Sequence, residues 1–391
     1  MGKTEMKKGL YRYGYVPGKD KVLVAFNELA ERALDMAEFD EMAERASLSY
    51  VNSRGYDRFE EKPVGEDKAV LCCVKTECYT SKGEKILGWF QKGNKNTTWK
   101  WAGWIAESEY KSFVSERTKF RLGHLVFDSW KSGEDFLDEI AKKALPEPWD
   151  FNDETKHSIL RSYLENVYER LLHEADGCPS KIICSGDGNY ILFNTNLLDK
   201  FSHDIYLVAE RGDNGDACNP RYSKGAKERA DMGFGRETPL PPQFFKDVND
   251  IIFQPSWEVD KEYDAFNHII EERRGRFSEK YSDMPTELLA KKLQETIDFA
   301  VVLAQRNYKF IVPMYRPKSD SIQLLMPIYL DGIYNVKPDF ALVLTLDSQH
   351  QMYIPETILT LDMCYNNARL IAKPDEAWLN PKTIVGKKAD S

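Results

Sequence analysis

Apolar residues recur at three- and four-residue intervals in several stretches of the chain, and this spacing predicts amphipathic helices. The clearest stretch covers residues 159–172, and a second covers residues 288–301. Shorter helices are predicted at 26–34, 137–145 and 362–372. We expect these apolar stripes to pack on a sheet, because a one-sided helix buries its apolar face against another element.

Short apolar runs separated by a few residues predict several strands in the last quarter of the chain. Connections this short favour an antiparallel meander over helix-linked parallel pairs. The chain is therefore predicted to be an α+β protein, with a mostly antiparallel sheet and packed helices. The predicted strands are Tyr308–Tyr315, Ile322–Tyr329, Phe340–Leu346 and Thr357–Leu361.

Two parts of the chain resemble each other in the same order, which predicts an internal duplication. Val74–Glu77 followed by Ile86–Asn94 aligns without gaps on Phe193–Asn196 followed by Ile205–Asp213. An Arg-x-Gly motif and an amphipathic helix precede both segments. Each copy is predicted to contain a helix, a variable helical spacer and a strand pair that ends in a polar turn.

The duplication predicts a degenerate N-terminal copy at residues 1–118 and a second domain at residues 119–391. In the first copy, Trp99, Trp101 and Trp104 lie on a stretch that alternates like a strand. Alternation places the first two tryptophans on the face opposite the third. We expect all three in a core rather than in an exposed docking patch.

Glycine-rich stretches of the chain predict turns and loops rather than a phosphate-binding motif. Ser185–Gly188 is typical of a hairpin turn, and Asp213–Pro242 is predicted to be a long loop. The sequence contains no P-loop, no Gly-x-Gly-x-x-Gly after a strand, no His-Glu-x-x-His and no Gly-x-Ser-x-Gly. A kinase, a Rossmann dehydrogenase, a zincin and an α/β-hydrolase are therefore disfavoured.

Composition is that of an ordinary globular protein, with 42% hydrophobic and 30% charged residues. The net charge of −9 argues against coating nucleic acid by bulk electrostatics, but it leaves local basic patches open. Without an apolar run of ~20 residues or a signal-peptide segment, we expect a cytoplasmic protein with no membrane partner. The seven cysteines form no Cys-x-x-Cys pair, so neither a metal site nor a cofactor is predicted.

Five ordered motifs resemble those of domain-of-unknown-function family 3825 and extend over about residues 120–380. The resemblance implies an RNA or nucleotide setting, because members of this family are often fused to cold-shock or S1-like RNA-binding modules. It implies no particular activity, and this chain has Asn196 where glycine is common in the family. The motifs are Leu192–Leu197, Asn267–Ile269 with Arg276–Phe277, Tyr308–Pro313, Gln323–Pro327, and Thr357–Asp375 ending near Trp378.

The first candidate site residues are a pair of asparagines and a histidine that is followed by an arginine eight residues later. Asn194 and Asn196 lie two apart, so that a strand would present both amides on one face. The alternative is that they satisfy backbone groups at the end of the strand. His268 lies eight residues before Arg276, which suits phosphate binding or acid–base chemistry at a phosphodiester. The alternative is a solvated, charged helix end.

Further candidates lie on the terminal helix and on the predicted meander. Asp362, Asn366 and Arg369 form one polar stripe, and Asn367 adjoins it. Asp362 alone is also explained as a helix N-cap. Gln323 and Lys309, on adjacent predicted strands, either complete a polar pocket or face solvent. We predict that the following residues converge on one pocket: Asn194, Asn196, His268, Arg276, Gln323, Asn366 and Arg369.

Three functions are compatible with these residues. The first is binding of RNA or a nucleotide, in which Asn and Gln read base or sugar while Arg276 and Arg369 hold phosphate. The second is an enzyme that cleaves a phosphodiester or nucleotide, with His268 as general acid or base and Asp362 orienting it or a metal. The third is a duplicated scaffold that binds a protein partner through its tryptophans. An amide- and arginine-rich set with few paired carboxylates favours the first.

Overall fold

The chain divides into two compact units in a computed structural model. The first unit comprises Met1–Arg121 and Phe127–Glu134, and the second comprises Leu122–Val126 and Asp135–Ser391. The structure describes residues 9–52, 57–59, 69–92, 99–152, 155–260, 265–332 and 337–385. In these ranges no helix combines the length and the apolar character that crossing a membrane requires.

The first unit is built on a five-stranded antiparallel sheet with the order β2-β1-β3-β4-β5. The rings of Phe26, Phe39 and Phe90 are buried in its core. Its helices and strands are α1 (Lys19–Leu29), α2 (Met36–Arg45), β1 (Ser47–Asn52), β2 (Asp57–Phe59), β3 (Ala69–Tyr79), β4 (Lys85–Lys92), β5 (Trp99–Ala106) and α3 (Glu107–Thr118).

The three tryptophans of β5 pack against this core, as predicted. The prediction that Trp101 and Trp104 lie on opposite faces is wrong, because their ring centroids are only 4.8 Å apart. The pairing of β5 with β4 shifts between Trp89 and Phe90, whose partners are Gly103 and Trp101. This bulge adds one residue between the two tryptophans and so brings both to the same side.

Two further sheets follow along the chain. A six-stranded sheet has the order β6-β7-β11-β10-β9-β8, and a five-stranded sheet has the order β12-β16-β15-β14-β13. The strands are β6 (Phe120–Leu122), β7 (Leu125–Phe127), β8 (Ile182–Cys184), β9 (Tyr190–Leu198), β10 (Asp204–Arg211), β11 (Ala217–Tyr222), β12 (Glu258–Val259), β13 (Val312–Arg316), β14 (Ser321–Ile328), β15 (Phe340–Asp347) and β16 (Met352–Leu359).

Helices pack on these sheets as the apolar periodicity predicts. Residues 159–172 lie in α5 and residues 288–301 lie in α9, where Leu289, Leu293 and Ile297 are fully buried in a core shared with β14–β16. The helices are α4 (Trp130–Lys143), α5 (Ser158–Ala175), α6 (Ala226–Asp231), α7 (Ala265–Glu272), α8 (Glu279–Ser282), α9 (Thr286–Arg306) and α10 (Leu361–Arg369).

The α+β class and the antiparallel meander β13-β14-β15-β16 are confirmed. Among the named strands that the structure describes, parallel pairing is limited to β7 with β11 and to β12 with β16. The prediction of a long loop at Asp213–Pro242 is wrong, since this segment contains β11 and α6. The Gly and Pro residues of this segment predict a loop, but β11 pairs with β10 in an antiparallel arrangement.

The β3–β4 and β9–β10 hairpins have the same register. Lys75 pairs with Leu87, and Asn194 pairs with Tyr206. Corresponding residues of the two hairpins therefore lie 119 positions apart in the chain (75 and 194, 87 and 206). In both hairpins the register then shifts before the strand pairing resumes near the turn. A third strand pairs with the second strand of each hairpin and also contains a bulge.

A threonine has the same role in both hairpins. Thr76 Oγ1 donates to Ile86 O at 2.6 Å, and Thr195 Oγ1 donates to Ile205 O at 2.8 Å. Each threonine hydroxyl also accepts from the backbone N–H two residues later, at 3.2 Å in both cases. These shared details support the proposed internal duplication, which remains an inference about the origin of the chain.

Candidate functional site

A cavity of about 520 Å³ lies in the second unit. Its walls come from α5, from the turn after α7, from the strands β13–β16 with the turn that follows β13, and from α10. The lining includes four cationic side chains, two carboxylates and three amides. These polar residues are Arg273, Arg276, Arg316, Lys318, Glu169, Glu356, Asn166, Gln323 and Asn367.

Arg273 and Arg276 bring two positive charges together at the wall formed after α7. Helix α7 ends at Glu272, so both arginines lie in the short turn that follows it. One guanidinium nitrogen of Arg276 donates to the backbone carbonyl of Ile358. Burial lowers the pKa of Arg276, and the positive charge of Arg273 lowers it further. Within the described ranges, neither arginine forms an ion pair with a carboxylate.

Glu356, on β16, is held by three donors. Thr345 Oγ1 donates to its Oε1 at 2.6 Å, while Arg316 Nη1 and Gln323 Nε2 donate to its Oε2 at 2.5 and 2.8 Å. These strands are neighbours in the meander, so the network follows directly from the register of β14, β15 and β16. Three of the about four acceptor sites of the Glu356 carboxylate are thus occupied, and Arg316 neutralises its charge.

The network also fixes the orientation of the Gln323 amide. Gln323 is 1% exposed, and its Nε2 donates to Thr345 Oγ1 and to Glu356, both at 2.8 Å. A flipped amide would place its oxygen against the carboxylate, so Oε1 must be the acceptor. Among the described residues, Gln323 Oε1 and the neighbouring Thr357 Oγ1 are buried without a hydrogen-bond partner. Buried polar atoms of this kind need a partner from water or a ligand.

Helix α10 separates two environments. Asn367 and Met363, one turn apart, line the cavity, and Asn367 Nδ2 lies 3.8 Å from Met314 Sδ. Arg369 instead binds Glu147 with both ends of its guanidinium, at 2.7 Å from Nη2 and 3.1 Å from Nε. Its guanidinium carbon also lies 4.5 Å from the ring centroid of Tyr163. Arg369 therefore forms a buried ion pair instead of lining the cavity.

Asn194 and Asn196 do not present their amides on one face. Asn194 is fully buried, and its Oδ1 accepts from the backbone N–H of Asn196 at 2.7 Å. Asn196 is exposed and has φ +57°, a left-handed conformation in which asparagine and glycine are favoured. The alternative backbone role thus accounts for Asn194 Oδ1 and for Asn196, while Asn194 Nδ2 is buried without a hydrogen-bond partner among the described residues. The same backbone conformation suits glycine, the residue that the family resemblance implies at this position.

The remaining predicted residues lie outside the cavity lining or outside the described side chains. His268 belongs to α7, but its side chain is outside the part of the chain that is described. Asp362 lies in the first turn of α10, whose N-cap is Thr360. Lys309 borders a separate cavity of about 200 Å³. Asn366 Oδ1 is buried and has no partner among the described residues.

The structure therefore brings together Arg276, Gln323 and Asn367 from the predicted set. It adds residues that the sequence hypothesis did not include. Arg316 and Lys318 flank a proline at the end of β13, so a basic turn between two predicted strands was the available signal. No local pattern marks Glu356 or the α5 residues. The added polar residues are Asn166, Glu169, Arg273, Arg316, Lys318 and Glu356.

Comparison with known proteins agrees with the resemblance seen in the motifs. A family model described as a domain of unknown function (DUF3825) matches residues 140–378, which is more than half of the chain. Every described residue of the cavity lining falls inside this match. No curated protein and no solved structure matches the chain. The chain therefore belongs to the DUF3825 family of domains of unknown function.

Proposed function

We propose that the second unit binds a nucleotide or RNA in the 520 Å³ cavity. The observation that carries this proposal is the pair Arg273 and Arg276, two cations side by side without a carboxylate partner in the described ranges. Like charges held together destabilise a fold unless a bound anion compensates them. Arginine is also the residue best suited to bind phosphate through paired N–H donors.

The size and the chemistry of the cavity fit such a ligand. Pockets for small ligands usually occupy about 300–1,000 Å³ and place a few polar groups at fixed positions. Here the amides of Asn166, Gln323 and Asn367 supply neutral donors and acceptors that suit base and sugar edges. The chain as a whole has a net charge of −9, whereas the side chains that line the cavity have a formal net charge of +2. This distribution favours a localised anion site over a broad nucleic-acid surface.

The described residues support recognition more than cleavage. Glu356 already accepts three hydrogen bonds, which leaves it poorly placed to take a proton from a nucleophile. The predicted acid–base pair depends on His268, whose side chain lies outside the described residues. The tryptophans of the proposed scaffold pack against a core and so offer no exposed patch of their own. Nucleotide or RNA binding is therefore the function that we carry forward.

The test is calorimetric titration of the full chain with nucleotides and short RNA, together with mass spectrometry of any ligand that co-purifies. Arg273→Ala and Arg276→Ala should each weaken binding by ~1–3 kcal/mol, the range for charge-assisted hydrogen bonds. Arg306→Ala removes an exposed arginine of α9 and should leave affinity unchanged. Equal affinities in the three variants and the unmodified chain would refute the site, provided that circular dichroism shows each variant folded.

A further inference from the structure

We infer that the ligand enters the cavity as a phosphomonoester, either a free nucleotide or the phosphorylated end of an RNA, and not as an internal phosphodiester. This inference rests on the proposed function and specifies the ligand class of the same cavity. Three features of the lining lead to it, namely its charge, the arrangement of its walls around the space and the number of its available donors.

The charge of the lining matches a dianion. Four cationic and two anionic side chains give a formal net charge of +2. Arg316 and Glu356 neutralise each other at 2.5 Å, so the remaining charges are Arg273, Arg276 and Lys318 against Glu169. A phosphomonoester carries about −1.5 to −2 at neutral pH, whereas each internal phosphodiester carries −1. A bound monoester therefore neutralises the net charge of the lining, whereas a bound diester leaves that net charge positive.

The walls surround the space on several sides. Asn166 and Glu169 come from α5, Met363 and Asn367 come from α10, and the arginine pair comes from the turn after α7. The volume of about 520 Å³ suits one nucleotide. An internal nucleotide would require the RNA chain both to enter and to leave this space. A terminal nucleotide requires one opening only, so it fits more readily between walls that come from α5, α10, the turn after α7 and the β13–β16 meander.

The donors exceed what a phosphodiester can accept. Arg276 uses one nitrogen on Ile358 O and keeps its other N–H groups, and Arg273 Nε is buried without a hydrogen-bond partner among the described residues. Lys318, exposed in the turn after β13, adds an ammonium group. A monoester offers three terminal phosphate oxygens to these groups, and a diester offers two.

The deciding experiment is calorimetry of the full chain at pH 7.5 with the four nucleosides, their 5′- and 3′-monophosphates and their 3′,5′-cyclic monophosphates. The cyclic compounds keep base and sugar but convert the monoester into a diester. We expect at least one monophosphate to bind about tenfold or more tightly than its cyclic counterpart, as loss of one charged hydrogen bond implies. Equal binding of the two would overturn the inference while leaving the proposed nucleotide site intact. Failure of all of them, and of short RNA, would overturn both.

Oligoadenylates of one length, with a 5′-phosphate, a 3′-phosphate or hydroxyls at both ends, separate the two sources of the ligand. Tighter binding of a phosphorylated oligonucleotide than of the mononucleotide would identify an RNA end, and the reverse would identify a free nucleotide. Indifference of the RNA to its terminal phosphate, with binding retained, would contradict the inference.

A lysine variant provides a check that leaves the fold undisturbed. Lys318→Ala removes an exposed side chain, so the protein should fold normally. The preference for the monophosphate over the cyclic compound should fall several-fold, because the lining loses one of its uncompensated charges. Lys291→Ala, an exposed position on α9, is the matched control and should keep the full preference. An unchanged preference in Lys318→Ala would leave Arg273 and Arg276 against Glu169, a formal charge of +1 that a diester already compensates, and would therefore overturn the inference.

Discussion

Two arginines that look equivalent in the sequence have different surroundings in the fold. Arg276 lies in the cavity with Arg273 beside it and no carboxylate partner among the described residues. Arg369 is paired with Glu147, which is 222 positions away in the chain. Because this partner is remote, no local pattern distinguishes a ligand-binding arginine from a structural one. The ion-pair geometry makes Arg369 a stabilising residue of the second unit.

Breaking the Arg369–Glu147 pair should therefore cost stability. Glu147→Gln leaves a buried guanidinium uncompensated, and Arg369→Ala leaves a buried carboxylate, so each should lower the free energy of unfolding by ~3–5 kcal/mol. Urea denaturation followed by circular dichroism measures this loss, with Arg306→Ala as the control. If Glu147→Gln instead keeps its stability and binds nucleotide more tightly, Arg369 is a phosphate ligand, as the sequence hypothesis had it.

Asn196 provides a second prediction at this scale, because its φ of +57° excludes β-branched residues. Asn196→Gly should be nearly neutral, whereas Asn196→Val should destabilise the protein by ~1–3 kcal/mol through backbone strain. Thermal denaturation compares the two with Glu210→Val, a substitution at an exposed position of β10 with ordinary strand geometry. Equal midpoints for Asn196→Val and Glu210→Val would mean that the left-handed conformation is not required.

At the scale of elements, bulges decide which side chains share a face. The bulge in β5 places Trp101 beside Trp104, and the register shift in β9 accompanies the separation of Asn194 from Asn196. Strict alternation predicts the opposite arrangement in both strands. A single inserted residue changes the face of everything beyond it, and the sequence marks it only by a glycine or an asparagine.

Gly103 is the residue that permits the β5 bulge. Its φ is +145°, and an added Cβ would meet only Trp89 Nε1 at 4.0 Å, so the cost of a side chain lies in the backbone. Gly103→Ala should destabilise the first unit by ~1–3 kcal/mol and alter tryptophan fluorescence. Gly177→Ala, with open space around it and no positive φ, is the control. Matching stabilities and spectra for these two variants would contradict the role of the bulge.

The helices were the most predictable elements. The stripes of α5 and α9 are long, and their apolar residues follow helical spacing without interruption. The sequence predicts a loop at Asp213–Pro242 because β11 contains Asn219 and Pro220, residues that are rare inside strands. Pairing with β10 and β7 outweighs this weak local preference. Tertiary contacts of this kind cannot be derived from a single sequence.

At the scale of the whole molecule, each unit has a hydrophobic core of its own, and the described cavity belongs entirely to the second. Only part of this site could be predicted. Gln323 is predicted from its place on a strand next to that of Lys309, and Asn367 from an asparagine pair, which is uncommon inside a helix. Glu356 and Arg316 are not identified as site residues from the sequence, because their pairing depends on a strand register that the sequence does not specify.

Ligand binding should consequently stabilise only one of the two units. Differential scanning calorimetry with a bound mononucleotide at about 100 times its Kd should stabilise the second unit by ~2.7 kcal/mol. Phe26→Ala weakens the first core and Leu293→Ala weakens the second, so these variants assign the transitions. A ligand that shifts the transition weakened by Phe26→Ala would place the site in the first unit and contradict the present assignment.

The common register of the β3–β4 and β9–β10 hairpins also has a consequence for folding. Because both hairpins present the same hydrogen-bonding pattern, an unfolded chain can pair a strand of one with a strand of the other without breaking register. Misassembly between similar modules is a characteristic failure of multidomain and repeat proteins. Only the side chains distinguish the correct strand pairing from the incorrect one. For instance, one hairpin has Val74 where the other has Phe193. We therefore expect that making the side chains of the two hairpins more alike lowers the yield of refolded protein.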